Sequence, residues 1–466
     1  MNGKWCICIF VVLLTSVVTL EAAEHIHIRT IKIEGNRKTK EALILRELDF
    51  KQGDSVVIAQ LTDRLVYNQT LLMNTGLFND VEINIKAWDQ EEQDVHLSVK
   101  VVESWYIFPL PIFQLADRNF NVWWTEQNAS LKRVNYGLRF VYVNFSGNKD
   151  NLKLILQGGY LRKILLQYER PYFNRTKTLG FTGRFFIDHR REFPYATRFN
   201  KRQFYEDLSE INFKTVKSTF SLHYRPGVIS NHEIFFKYED NKVTEGVLDV
   251  NSRYLNGSIR QRFFEVSYFY NRERRDNRFY AAKGSYLTAM IQKEGLGVYD
   301  DLNKLTTSIF YAQYVPILPK LNLEMRAKAE TEWTGNRHPY FGLEALGFGE
   351  TYIRGYELYV VDGTDYFLSR NSLRFKLLDR TFDLKKKMPA KNYRIFPITI
   401  WLSANTDFGY VNNDLFNEDN PFNNRWLMGG GIGLDIILYR KYVFQLEYSM
   451  NHLNERGIFL HARSDI

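Results

Sequence analysis

The sequence predicts a mainly β protein: one small β-α-α-β-β unit followed by a sixteen-stranded antiparallel transmembrane β-barrel. Three observations carry this. Aromatic residues make up 15% of the chain, with 29 Tyr and 35 Phe, yet 25% of residues are charged and mean hydropathy is negative; that mixture suits an apolar outside and a polar inside. Period-two alternation fills the chain from about residue 119 to its end. After an apolar leader no run of 18 apolar residues follows, so any membrane passage is by strands.

The leader comes first. Lys4 gives a positive start, Trp5 to Leu20 is apolar and Ala22-Ala23 offers small residues for cleavage, so residues 1–23 read as a signal peptide. Both cysteines, Cys6 and Cys8, lie within it, which excludes disulfides and Cys-metal sites from the remainder. No Cys stands at the cleavage point, which argues against a lipoprotein.

Residues 24–103 form the small unit. Ile26 to Glu34 is a β-branched run closed by Gly35-Asn36. Thr39 is expected to cap a helix that carries Glu41 in its first turn and runs through Leu43, Ile44 and Leu48. Gly53-Asp54 breaks it. A second helix starts after Ser55, with Ile58, Leu61, Leu65 and Leu72 at helical spacing, and Asn74-Thr75-Gly76 ends it. Two strands follow, one with Val81, Ile83 and Ile85 on one face, the other with Val95, Leu97, Val99 and Val101.

Residues 104–118, with Pro109 and Pro111 among aromatics, read as a stiff linker, and 119–466 as the barrel. The clearest alternation is Leu321, Leu323, Met325, Ala327 and Ala329 against Asn322, Glu324, Arg326, Lys328 and Glu330. Sixteen such segments can be counted, the first near residue 119 and the last near 456. An even number brings both barrel ends to the same side. Between the eleventh and twelfth segments lies a long loop rich in Gly, aromatic and acidic residues, Gly342 to Gly363, with Ile353-Arg354-Gly355-Tyr356 at its middle. Its aromatic content argues for an ordered loop with a polar environment rather than a linker.

These features together resemble the BamA/TamA outer-membrane assembly superfamily. The 24–103 unit, with Gly35-Asn36, Gly53-Asp54 and Thr75-Gly76-Leu77-Phe78 at its turns, looks like a POTRA domain. In that family the sixth extracellular loop folds into the lumen behind an Arg-Gly-Phe/Tyr tip, which Ile353, Arg354, Gly355 and Tyr356 match. The family's Asp-x-Gly motif on strand thirteen is matched by Asp407-Phe408-Gly409. The resemblance implies that Arg354 pairs with Asp407 and locks the loop to the wall, with Gly355 allowing the sharp turn and Gly409 belonging to the same motif. It departs at one point. Where the family often places a glutamate on strand twelve as a second partner for the arginine, this chain has Arg374, so the lock is expected to rest on Asp407 alone or to draw on Asn371 or Glu357.

The resemblance further implies a bacterial outer-membrane location with the POTRA domain in the periplasm, in contact with the lipid bilayer, with unfolded or extended client outer-membrane proteins, and with periplasmic or lipoprotein accessory subunits. The implied mechanism starts with a client strand on the POTRA sheet edge. It continues at a weak lateral seam between the first strand, expected at Asn119, Phe120, Val122 and Trp124, and the last, expected at Ile458, Leu460 and Ala462. No enzymatic step, cofactor or metal is implied. The alternatives are a dedicated exporter for one partner protein, or a passive channel or structural barrel; one POTRA domain is fewer than bacterial assembly factors usually carry.

Other motifs carry less. The net charge of +9 is spread along the alternating strands rather than gathered on one face, which excludes a nucleic-acid function. Asp407-Phe408-Gly409 spells a kinase motif without its companions. Gly429 to Gly433 precedes a strand, not a helix, and reads as small residues at a strand bend. His25 and His27 have no zinc-like partners, and Lys385-Lys386-Lys387 reads as a solvated turn.

Overall fold

The computed structural model describes residues 24–463 apart from 90, 117–122, 125–127, 175, 177, 208–209, 300, 335–337, 385–393 and 417–418. The N-terminal domain runs β1 (His25–Glu34), α1 (Glu41–Glu47), β2 (Ser55–Val57), α2 (Ile58–Met73), β3 (Phe78–Asp89) and β4 (Asp94–Glu103). Its sheet has the order β2-β1-β4-β3, with β1 parallel to β4. The alternating residues of β1, β3 and β4 and the apolar stripes of both helices meet in one core, including Ile26, Ile28, Leu43, Leu61, Leu72, Val81 and Val99. Burial of those side chains supplies the drive to fold.

Two local expectations are corrected. A three-residue strand, β2, separates the helices, too short to show any period in the sequence. Thr39 does not cap α1: the cap position is Lys40, without a side-chain bond. The Thr39 hydroxyl lies 2.8 Å from the Tyr106 hydroxyl and accepts a bond from Asn144 instead.

Among the described residues the second body is a single antiparallel sheet of sixteen strands. In chain order these are β5 (Ile107–Leu115), β6 (Val134–Tyr142), β7 (Asn151–Gly159), β8 (Leu161–Arg170), β9 (Leu179–Arg190), β12 (Phe213–Tyr224), β13 (Ser230–Val243), β14 (Arg260–Glu273), β15 (Gly284–Glu294), β16 (Lys304–Leu318), β17 (Leu321–Thr334), β18 (Asp365–Asp383), β19 (Ile395–Asn412), β20 (Trp426–Leu438), β21 (Tyr442–Asn451) and β22 (Arg456–Arg463). A separate hairpin, β10 (Glu192–Arg198) with β11 (Lys201–Glu206), and a short helix, α3 (Gly246–Val250), lie in the loops of the far rim, opposite the N-terminal domain.

Burial is inverted relative to a water-soluble sheet. Phe220, Leu222, Tyr268, Phe444, Leu446 and Tyr448 are exposed, whereas Asn322, Glu324, Asp407, Asp435 and Glu447 are buried. The apolar faces therefore form an outer belt and the polar faces line a lumen, as a membrane barrel requires. Every strand bonds its neighbours in sequence, so the backbone polar groups of the belt are satisfied within the sheet up to its two end strands, β5 and β22.

The linker and the first strand need correction. Residues 107–115 are not a linker but β5, paired with β6 along its whole length. Its two prolines read as strand breakers, yet β5 is an end strand of the sheet, where proline is tolerated. Of the residues assigned by sequence to the first strand, Trp124 lies in a helical turn after β5 and is exposed. Asn119, Phe120 and Val122 fall outside the described residues, as do Lys385 to Lys387.

The N-terminal domain is docked on the near rim. Glu47 of α1 accepts two bonds from Arg225, in the β12–β13 turn, at 3.0 and 3.1 Å, and one from the Tyr172 hydroxyl in the β8–β9 turn at 2.8 Å. The Lys40 amide donates to the Gly147 carbonyl in the β6–β7 turn at 3.0 Å, and Lys441 in the β20–β21 turn donates to the Gly76 carbonyl. Burial alone would raise the Glu47 pKa, but Lys149, Arg225 and Tyr172 outweigh it and hold the carboxyl down at about 2.

Candidate functional site: an arginine lock in the lumen

The loop between β17 and β18 turns inward rather than outward, because its middle carries both a charge and the residues to seat it. Leu346 and Val361 bridge its two limbs, and Ala345, Leu346, Ile353, Tyr356 and Val361 pack with Tyr366, Leu368, Val411, Phe422 and Leu427 in a closed apolar cluster. That packing holds the loop's tip against the lumen wall.

At the tip, Arg354 meets two carboxylates on two different strands. Its backbone N–H and its Nη1 donate to Asp407 on β19, at 3.0 and 2.8 Å, and its Nε donates to Glu447 on β21 at 2.8 Å. All three side chains are buried. One guanidinium against two carboxylates leaves a negative excess, which a second arginine offsets: Arg370 Nε on β18 lies 3.4 Å from Asp407. The Arg370 guanidinium also stacks 4.1 Å above the ring of Tyr352. Tyr352 stacks on His461 of β22, whose Nε2 is 3.4 Å from Glu447. The lock thus joins the loop to strands β18, β19, β21 and β22. Buried pairs of this kind contribute only when each charge is matched and hydrogen-bonded, and removing one partner strands the others.

The glycines explain how the tip fits. Gly355 has φ +85°, and a Cβ there would lie 2.5 Å from the backbone carbon of Met450. No other residue could take that turn so close to the β21 backbone. A Cβ on Gly409 would come within 2.5 Å of Ile353 Cδ1, so the absent side chain makes room for the loop. The Tyr356 hydroxyl bonds His452, and its ring sits edge-on to Phe422 at 5.3 Å.

Of the residues singled out in the sequence, Ile353, Arg354, Gly355, Tyr356, Asp407 and Gly409 are brought together here. Ile458, Leu460 and Ala462 lie on β22 and face outward, the first two 62% and 68% exposed. The second partner of Arg354 is neither Asn371, which bonds Ser369, nor Glu357, which accepts a bond from Ser449. It is Glu447, whose only signal was a carboxylate on the polar face of an alternating strand. Arg374 takes no part in the lock and pairs with Glu324 at 3.3 Å. Gly429, by sequence a small residue at a strand bend, stands opposite Asp407 on β20, and the Arg354 carbonyl occupies the space a Cβ there would need.

Comparison with known proteins agrees with this fold. Residues 26–104 match the POTRA family, described as a surface antigen variable number repeat. Among solved structures, BamA from Haemophilus ducreyi lacking POTRA domains 1–3 aligns over 94% of this chain and 84% of its own, at 16% identity and a TM-score of 0.54. CdiB from Escherichia coli aligns over 97% and 92%, at 10% identity and a TM-score of 0.49. CdiB from Acinetobacter baumannii aligns over 94% and 73%, at 13% identity and a TM-score of 0.48. No curated protein matches the chain by sequence.

Proposed function

We propose that this chain, which has the POTRA-plus-barrel architecture of the BamA/TamA superfamily, works at the bacterial outer membrane and inserts client proteins through a lateral seam between β5 and β22. The observation that carries the reading is the chemistry of the β5 edge. Among the described residues no ladder joins β5 to β22; each is bonded on one side only. The Val143 amide donates to the Tyr106 carbonyl and the Ala116 amide to the Arg133 carbonyl, both at 2.8 Å. With the unbroken register between them, these bonds fix the parity: even-numbered residues of β5 bond β6, and odd-numbered ones point to the seam. Pro109 and Pro111 are odd. Two successive seam positions therefore carry no N–H, and the seam-facing carbonyl of Ile107 is taken by the Trp105 indole.

An edge so depleted cannot zip firmly to a neighbour, yet its remaining groups sit in an apolar surround where any strand that pairs with them is favoured. The clients are extended or unfolded outer-membrane proteins, the surround is the lipid bilayer, and accessory subunits are partners of the periplasmic domain. The first contact falls on β3, which among the described residues pairs only with β4 and exposes Ile85 and Trp88. A lumen occupied by the locked loop favours such a route over steady passive conduction.

Restoring the two donors tests this. In Pro109→Thr/Pro111→Thr the seam gains two hydrogen-bond donors, and assembly of barrel proteins into the outer membrane is expected to slow severalfold. Unchanged assembly in a correctly folded variant would remove the seam from the mechanism.

A further inference from the structure

We infer that the turn between β14 and β15 is a second plug, closing the lumen from the side of the N-terminal domain and pinned there by Arg374. The turn is rooted between the eighth and ninth strands of the sheet, but its tip reaches the far wall. The Tyr280 hydroxyl donates to Asp435 on β20 at 2.6 Å. Asn322 on β17 donates to the Ala282 carbonyl at 2.7 Å, and Arg374 on β18 donates to the Ala281 carbonyl. Phe279, Tyr280 and Ala282 pack with Trp401, Ile437 and Val443, on β19, β20 and β21. A turn that starts at strand eight and touches strands eleven to fifteen has crossed the lumen.

The turn is built to hold that shape. Asp276 Oδ1 accepts the amides of Ala282 and Lys283 at 2.9 and 3.1 Å. Asn277 Oδ1 accepts those of Phe279 and Tyr280 at 2.8 and 3.0 Å. These side-chain to backbone bonds pre-form the tip, so little ordering remains when it docks.

Arg374 is suited to be the pin. Its guanidinium lies 4.4 Å above the Tyr280 ring, pairs with Glu324 and donates to the turn, so one planar cation engages the ring face, a carboxylate and a carbonyl at once. The residue that departs from the superfamily pattern at the lock thus serves the opposite end of the lumen. A cavity of about 550 Å³ lies between the two devices, lined by Tyr280 on one side and by Tyr352 and Arg354 on the other. The inference does not depend on whether the barrel inserts or exports its clients.

Conductance of the full-length protein in planar bilayers tests it, since no client is needed. In an Arg354→Ala background, where the first plug is undocked, Tyr280→Ala, and separately a chain with Phe279, Tyr280 and Ala281 replaced by serine, are each expected to conduct severalfold more than Arg354→Ala alone. Arg374→Gln in that background should give the same rise and add nothing to the triple-serine chain, because a pin without a plug has no effect. A triple-serine chain that conducts no more than Arg354→Ala alone overturns the inference, and so does an additive effect of Arg374→Gln. The triple-serine chain alters no strand, so it decides the matter even if Arg374→Gln fails to fold.

Discussion

The backbone carbonyl of Arg354 lies only 1.8 Å from where a Cβ on Gly429 would stand. The loop and the β20 backbone touch at this point, so the docked position depends on a missing side chain as much as on the ion pairs. Gly429→Ala should push the tip off the wall while leaving every charge in place. Hydrogen exchange of the Arg354 amide, bonded to Asp407, is expected to rise sharply, with the strands around it unchanged.

Gly355→Ala adds a second fault. The left-handed backbone costs a non-glycine residue about 1–2 kcal/mol, and the new methyl meets the Met450 backbone. This variant should undock the loop more completely than Gly429→Ala, read by protease access to Tyr352 and Tyr356 in the folded barrel.

The lock has two acids, and they should not contribute independently. Removing one partner of a buried pair costs about 3–5 kcal/mol, so Asp407→Ala and Glu447→Ala are each expected to destabilise loop docking by an amount of that order. A double-mutant cycle should show coupling, because both address one guanidinium. Arg354→Lys keeps the charge but cannot make both contacts in the same plane, and is expected to fall between wild type and Arg354→Ala.

Docking of the N-terminal domain carries a pH signature. The Glu47 carboxyl is held down from 4.5 to about 2 in the folded protein. A lowered pKa contributes stability that is fully present above the free value and disappears as pH falls towards the folded one. The protection factor of the Lys40 amide, bonded across the interface, should be flat at neutral pH and fall as pH drops below 4.5 towards 2. Glu47→Gln should loosen docking by about 2 kcal/mol at neutral pH and flatten that acid response.

Much of this was legible in the sequence because a barrel wall has only one period. Leu321 to Glu330 alternate without exception, and the lumen positions Asn322 and Glu324 are buried where that alternation puts them. The loop tip and Asp407 were legible through a known pairing of motifs. The first strand was not: Pro109 and Pro111 hide the alternation, and only the parity of the ladder shows that they face away from β6. Glu447 was hidden for the opposite reason. A carboxylate between Gln445 and Ser449 looks like any polar face, and nothing local says that a loop some ninety residues earlier will reach it. The role of Arg374 was invisible because its partners come from a turn that reads as an ordinary connection.

The most direct test of the lateral seam is site-specific photocrosslinking in living cells during outer-membrane protein assembly, with the probe at Phe113 on β5, Leu460 on β22, or Tyr268 on β14 in the opposite wall. All three side chains face outward. The account predicts adducts with nascent barrel proteins from Phe113 and Leu460 and none from Tyr268. Adducts that are absent from both end strands, or equally strong from Tyr268, would contradict it.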